Sequence, residues 1–163
     1  MNGLMNGLLV VLGALALLAL LAMVAPAMAA GLKDASLKLT LALPASNTTV
    51  YATPGLDTGN IGGNHPGGVE FLLTAPALTT AQLGDAATMK YSILYDSVNP
   101  IDASSTVLHA DIITQTDAGG AGAAGATKRF KLPSTAGRIL GFKVVNSANA
   151  DASAASATLE ALF

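Results

Sequence analysis

Four groupings of residues have the types and spacing to do chemistry. Gly120-Ala121-Gly122-Ala123-Ala124-Gly125 spells G-x-G-x-x-G, the pattern that cradles a pyrophosphate when a helix opens behind it and an acidic residue follows about 20 positions on. Here Lys128-Arg129-Phe130-Lys131 follows and reads as a basic strand, so the run reads as a Gly/Ala-rich loop. Asp57, Asn60, Asn64 and His65 offer oxygen and nitrogen ligands in one stretch, 55–68. Calcium sites gather several carboxylates, and only Asp57 supplies one. Gly62-Gly63, Pro66 and Gly67-Gly68 already account for the stretch as turn chemistry. His109 and Asp111 lie two apart and are expected on the same face of a strand. No G-x-S-x-G elbow accompanies them, so the pair reads as polar surface. Lys128, Arg129, Lys131, Arg138 and Lys143 hold five of the eight basic residues. A nucleic-acid site would add an aromatic stacking platform and a net positive domain. The functional reading left for this group is a patch that steers the protein onto an acidic protein surface. Asn47-Thr48-Thr49 spells a glycosylation sequon, which has meaning only in a glycosylating pathway. The chain is expected to carry no catalytic residue, no metal and no cofactor.

Composition agrees. Charged residues make up 11% of the 163-residue chain, against about 25% in an ordinary domain, and Ala, Gly, Ser and Thr fill the space. The net charge of −2 sets up no field that attracts nucleic acid. There are no cysteines, which excludes disulfides and thiolate metal sites. A surface low in charge and rich in small side chains suits packing against other protein.

These groups must be positioned by two kinds of element. The first charged side chain is Lys33, and from Leu4 to Val24 nearly every residue is Leu, Val, Ala, Met or Gly. As a helix this run would be about 31 Å long, the thickness of a bilayer's hydrocarbon core. It has no polar face, so it must be buried in lipid or in protein. Three readings stay open. Ala27-Met28-Ala29 resembles a signal-peptidase site, though Met1–Gly7 has no basic residue. A membrane anchor through residues 4–24 would be flanked by Lys33 and Lys38. A helix buried among neighbouring subunits would use Gly3, Gly7 and Gly13 for close approach, and would bury Leu8, Leu9, Leu12, Leu15, Leu18 and Leu21.

After Gly31 the pattern changes to strict alternation, so a domain 37–163 is expected behind a helix 1–30 and a linker 31–36. Eight β-prone segments are expected: 37–43, 48–52, 69–75, 89–96, 107–116, 128–132, 138–146 and 157–163. The last has helical composition as well, but its alternation favours a strand. No helix is expected after residue 36. Short alternating strands with Gly-, Ser- and Asn-rich connections describe an all-β sandwich or jelly roll. The Gly/Ala loop 118–126 is expected to be mobile unless a partner holds it.

Asn47-Thr48-Thr49-Val50-Tyr51, the Gly/Asp/Asn run 55–63, the strand 69–75, Tyr95-Asp96-Ser97, and Lys131-Leu132-Pro133-Ser134 leading into 138–145 follow one another in an order that resembles the jelly-roll cement, or decoration, proteins of tailed bacteriophage capsids. The resemblance covers roughly residues 37–163. It implies a non-catalytic homotrimer on the outside of the virion that bridges subunits of the major capsid protein. In that setting Lys128, Arg129, Lys131, Arg138 and Lys143 would contact the capsid. The hydrophobic N-terminal segment departs from that family. The rival expectation is an exported β-sandwich binding module of a bacterial envelope, with residues 1–30 as signal or anchor.

Overall fold

The computed structural model describes residues 37–59, 69–133 and 136–162, and the chain divides into two units after Lys33. The expected helix 1–30 with its six leucines, the linker 31–36 and Asn60, Asn64 and His65 lie outside the described residues.

Alternation builds the first layer. In β1 (Lys38–Ala42), β4 (Glu70–Ala75) and β9 (Ser156–Leu162) every second side chain points inward. Phe71, Leu73, Leu159 and Ala161 are fully buried as a result. With β7 (Ala126–Lys131) they form sheet A in the order β1-β9-β4-β7, every ladder antiparallel and unshifted. Sheet B has the order β2-β8-β5-β6, from β2 (Thr49–Tyr51), β8 (Ile139–Asn146), β5 (Thr88–Asp96) and β6 (Thr106–Thr116). A two-residue strand, β3 (Leu56–Asp57), also pairs with β8, so β2 and β3 act as two pieces of one edge strand. Strands consecutive in sequence fall repeatedly in opposite sheets, and the first strand pairs with the last. This is the wrapping of a jelly roll. The expected all-β sandwich is observed, with β3 as the strand that the sequence pattern missed.

The inner faces supply one core. Phe71, Leu73 and Leu159 of sheet A meet Met89, Tyr91, Ile93, Leu140, Phe142 and Val144 of sheet B, and Phe71 stacks on Phe130 with ring centroids 5.7 Å apart. A buried polar bridge crosses it. The Tyr91 phenol, whose pKa burial pushes up, donates to Gln115 Oε1 at 2.7 Å. Gln115 Nε2 donates to the carbonyls of Pro76 and Ala124 at 2.7 and 2.8 Å. Every polar atom of this buried pair named here has a partner, as burial requires.

A one-turn helix, α1 (Thr80–Leu83), corrects the expectation of no helix after residue 36. Gln82 Oε1 accepts the Thr79 N–H at 3.0 Å, half of a capping box, and Leu83 is buried beneath.

Candidate interaction surface

The register decides which side chains share an outer face. Across sheet A, Thr40 lies opposite Thr158, Thr158 opposite Thr74, and Thr74 opposite Thr127. Four threonines from four strands therefore form one row, about 14 Å long at ordinary strand spacing. Beside it runs the row Lys38, Glu160, Leu72, Arg129, and beyond that Leu162, Glu70, Lys131. Lys38 Nζ lies 2.9 Å from Glu160, and Arg129 lies 3.6 Å from Glu70. Counting side chains on this face, three cations stand against two carboxylates, and both carboxylates are paired. The Arg129–Glu70 pair is exposed on both sides and adds little stability. The β-branched threonines hold few rotamers, so the face is pre-ordered, and each hydroxyl can both donate and accept.

The outer face of sheet B differs. The β5–β6 connection folds back over it, so Leu94, Ile101 and Ile139 make a second small core with Tyr51 packed alongside. Gly141 lies beneath, and a Cβ there would sit 2.8 Å from an Ile101 carbon. Asp96 ties the connection down: Oδ2 accepts the Ser105 hydroxyl at 3.0 Å, and Oδ1 accepts the Ser97 N–H at 2.6 Å. The Ser105 hydroxyl, with the Ser97 and Val98 amides, lowers the pKa of Asp96. The Ser104 hydroxyl and amide do the same for Asp102. Asn99 Oδ1 accepts the Gly55 N–H at 2.9 Å. Val98 is left 65% exposed at the tip.

The expectation that His109 and Asp111 share a face is corrected. The β5–β6 register shifts between Tyr91 and Ile93, so one residue of β5 faces three of β6. Asp111 takes a left-handed φ of +47°, a conformation that needs outside support in a non-glycine residue. Ser92 Oγ accepts the Asp111 N–H at 3.0 Å, and Lys90 Nζ donates to Oδ2 at 3.0 Å. The Lys90 hydrogen bond is the largest of the causes that hold the Asp111 pKa down. His109 instead meets the Phe130 ring edge-on, centroids 5.5 Å apart. The bulge thus separates the two side chains.

The five basic residues divide between the sheets. Arg129 and Lys131 are on the outer face of sheet A, while Lys128 pairs opposite inward-facing Leu73 on the edge strand. Arg138, just before β8, donates from Nε to Asp57 Oδ1 at 2.7 Å and from a second nitrogen to Oδ2. This bidentate pair lowers the Asp57 pKa and raises that of Arg138. Lys143 lies between Tyr51 and Ser92 on the outer face of sheet B.

The Gly/Ala loop is held by the protein itself. Leu78 and Ala123 exchange two backbone bonds of 2.8 Å, and the Thr80 hydroxyl donates to the Gly120 carbonyl at 2.6 Å. Gly122 has a φ of +76°, and a Cβ there would lie 2.2 Å from the Leu78 carbonyl oxygen. Close backbone packing is therefore one reason for glycine in this run. Among the described residues no three His, Cys, Asp or Glu side chains group to hold a metal. No helix among them is long and apolar enough to cross a membrane.

No family model and no curated protein matches the chain. Solved structures similar to it include a family 16 carbohydrate-binding module, at 14% identity and a TM-score of 0.35, over 76% of this chain and 71% of that one. Another is the Caldicellulosiruptor saccharolyticus module CBM27-1 in complex with mannohexaose, at 14% identity and 0.36, over 77% and 71%. A third is infectious bursal disease virus, Gt strain, at 12% identity and 0.29. It matches over 82% of this chain and 28% of that one.

Proposed function

We propose that this chain is a non-catalytic capsid cement protein that lays the outer face of sheet A on an icosahedral phage shell and bridges neighbouring subunits of the major capsid protein. The observation that carries this reading is the unshifted sheet A with its threonine row and flanking cations Lys38, Arg129 and Lys131. A rigid row of small, two-way hydrogen-bonding side chains adapts to a flat protein surface at small entropic cost. Each contact is modest, and repetition around a shell turns many modest contacts into avidity. In this reading the protein is a homotrimer on the virion surface.

The test uses the full chain and DNA-free shells of the phage that carries it. The native protein co-sediments with the shells and raises their melting temperature, and scattering gives a trimer mass. Replacing Thr74 and Thr158 with arginine puts bulk and charge in the middle of the row, and is expected to abolish co-sedimentation while the melting curve of the free protein stays cooperative. Undiminished co-sedimentation of that variant would overturn the assignment of sheet A. A monomer that ignores shells and binds envelope polysaccharide would replace this reading with the exported binding module.

A further inference from the structure

A second site, separate from the proposed docking face, lies at the end of the sandwich where the β6–β7 loop meets the turn after α1. Asp117 is fully buried, with Oδ1 accepting the Gly122 N–H at 3.1 Å. Its other oxygen, Oδ2, is buried with no hydrogen-bond partner among the described residues. Asp85 approaches the same loop and accepts the Gly119 N–H at 3.1 Å. Two backbone bonds, from Ala86 N–H to the Asp117 carbonyl at 3.0 Å and from Asp117 N–H to the Ala87 carbonyl at 3.1 Å, lay the two segments side by side. Neither carboxylate has an ion pair among the described residues. Asp85 also lines a groove of about 440 Å³ with Ser147 and Asn149, open to solvent.

A buried carboxylate oxygen with no donor is strongly unfavourable unless something compensates it. Water, a proton and a cation are the ordinary compensations. A second carboxylate, Asp85, bonded to the same loop, the lack of an ion pair to either among the described residues, and the groove beside Asp85 favour a cation. Oxygen is the donor type on offer, from carboxylates, main-chain carbonyls and solvent. That set suits calcium, which takes six to eight oxygens in irregular geometry, better than magnesium, which demands a regular octahedron.

We propose that Asp117 and Asp85 bind a calcium-class divalent cation that clamps the β6–β7 loop to the turn after α1. The experiment takes the full chain, strips it with chelator and titrates calcium chloride by calorimetry and thermal melting. Binding heat at a single site is expected, with Tm raised by about 9 °C at a hundredfold excess over Kd, and magnesium giving a smaller shift. Asp117→Asn loses heat and shift together, and Asp85→Asn weakens binding at least tenfold. Asp151→Asn, on the exposed β8–β9 connection, keeps both. Absence of heat and of any Tm change in the unmodified chain at millimolar calcium would overturn the proposal, as would an undiminished response in Asp117→Asn. If Asp117→Asn does not fold, the unmodified chain and Asp85→Asn decide the question.

Discussion

Sheets A and B share a core but treat their outer surfaces in opposite ways. Sheet A keeps every ladder in register and carries one row of threonines across all four strands on its outer face. Sheet B shifts register twice along β5 and β6 and is roofed by the β5–β6 connection through Ile101. A regular sheet presents a repeat, and a repeat can meet another flat surface. A bulged and covered sheet has already used its outer face for its own stability. The comparison separates the two: sheet B spends its outer face on the fold, and sheet A presents a regular one.

The largest expected effect tests what the sheets share. Phe142→Ala in sheet B and Phe71→Ala in sheet A should each cost about 3–5 kcal/mol in urea melts, because both rings are fully buried in one core. A large difference between them would mean that the layers do not unfold together.

Gly141→Ala tests the roof. The added carbon meets Ile101, and lifting that side chain should cost about 1–3 kcal/mol, with faster amide exchange along 97–105. A neutral result would show the connection to be loosely held.

Acid should act on the same region. Asp57, Asp96, Asp102 and Asp111 all lie in sheet B or its roof, and each has a pKa lowered from 3.8 by its partners. A lowered folded pKa stabilises above the unfolded value, and that stability is lost as pH falls through the folded value. Below about pH 4, exchange along 97–105 should therefore rise relative to sheet A, after correction for intrinsic rates. Equal loosening of both sheets would remove the distinction.

The smallest effect concerns the threonine row. Thr40→Val together with Thr127→Val, both exposed, should move stability by no more than about 0.5 kcal/mol while weakening shell capture. A loss of stability beyond about 1 kcal/mol would make the row structural.

Sheet A was readable as a sequence because its strands alternate cleanly. Leu39, Leu41, Phe71, Leu73 and Leu159 mark one face, and Thr40, Thr74 and Thr158 the other. The row they form was not readable, since it depends on pairings between positions as far apart as 40 and 158. The longer strands of sheet B were legible, but what became of their outer faces was not. Leu94 and Ile139 point outward yet are buried by a loop, and the turn at Asp111 reverses a side chain that simple alternation assigns to the His109 face. β3 is too short to show a period. Thr79 and Gln82 did carry the spacing of a helix start, a signal overlooked among loop residues. Asp117 gave no sign at all, because its burial depends on the lacing of two distant turns.

The place of β9 has a consequence for synthesis. It follows the other eight described strands in sequence, yet it lies between β1 and β4, and β1 has no other neighbour among the described strands of its sheet. Sheet A cannot close until residues 156–162 leave the ribosome, and until then β4 presents an unpaired edge. Pairings this distant in sequence make for slow folding. A chain that stops early would lose the inner strand of the sheet and offer β4 to other chains.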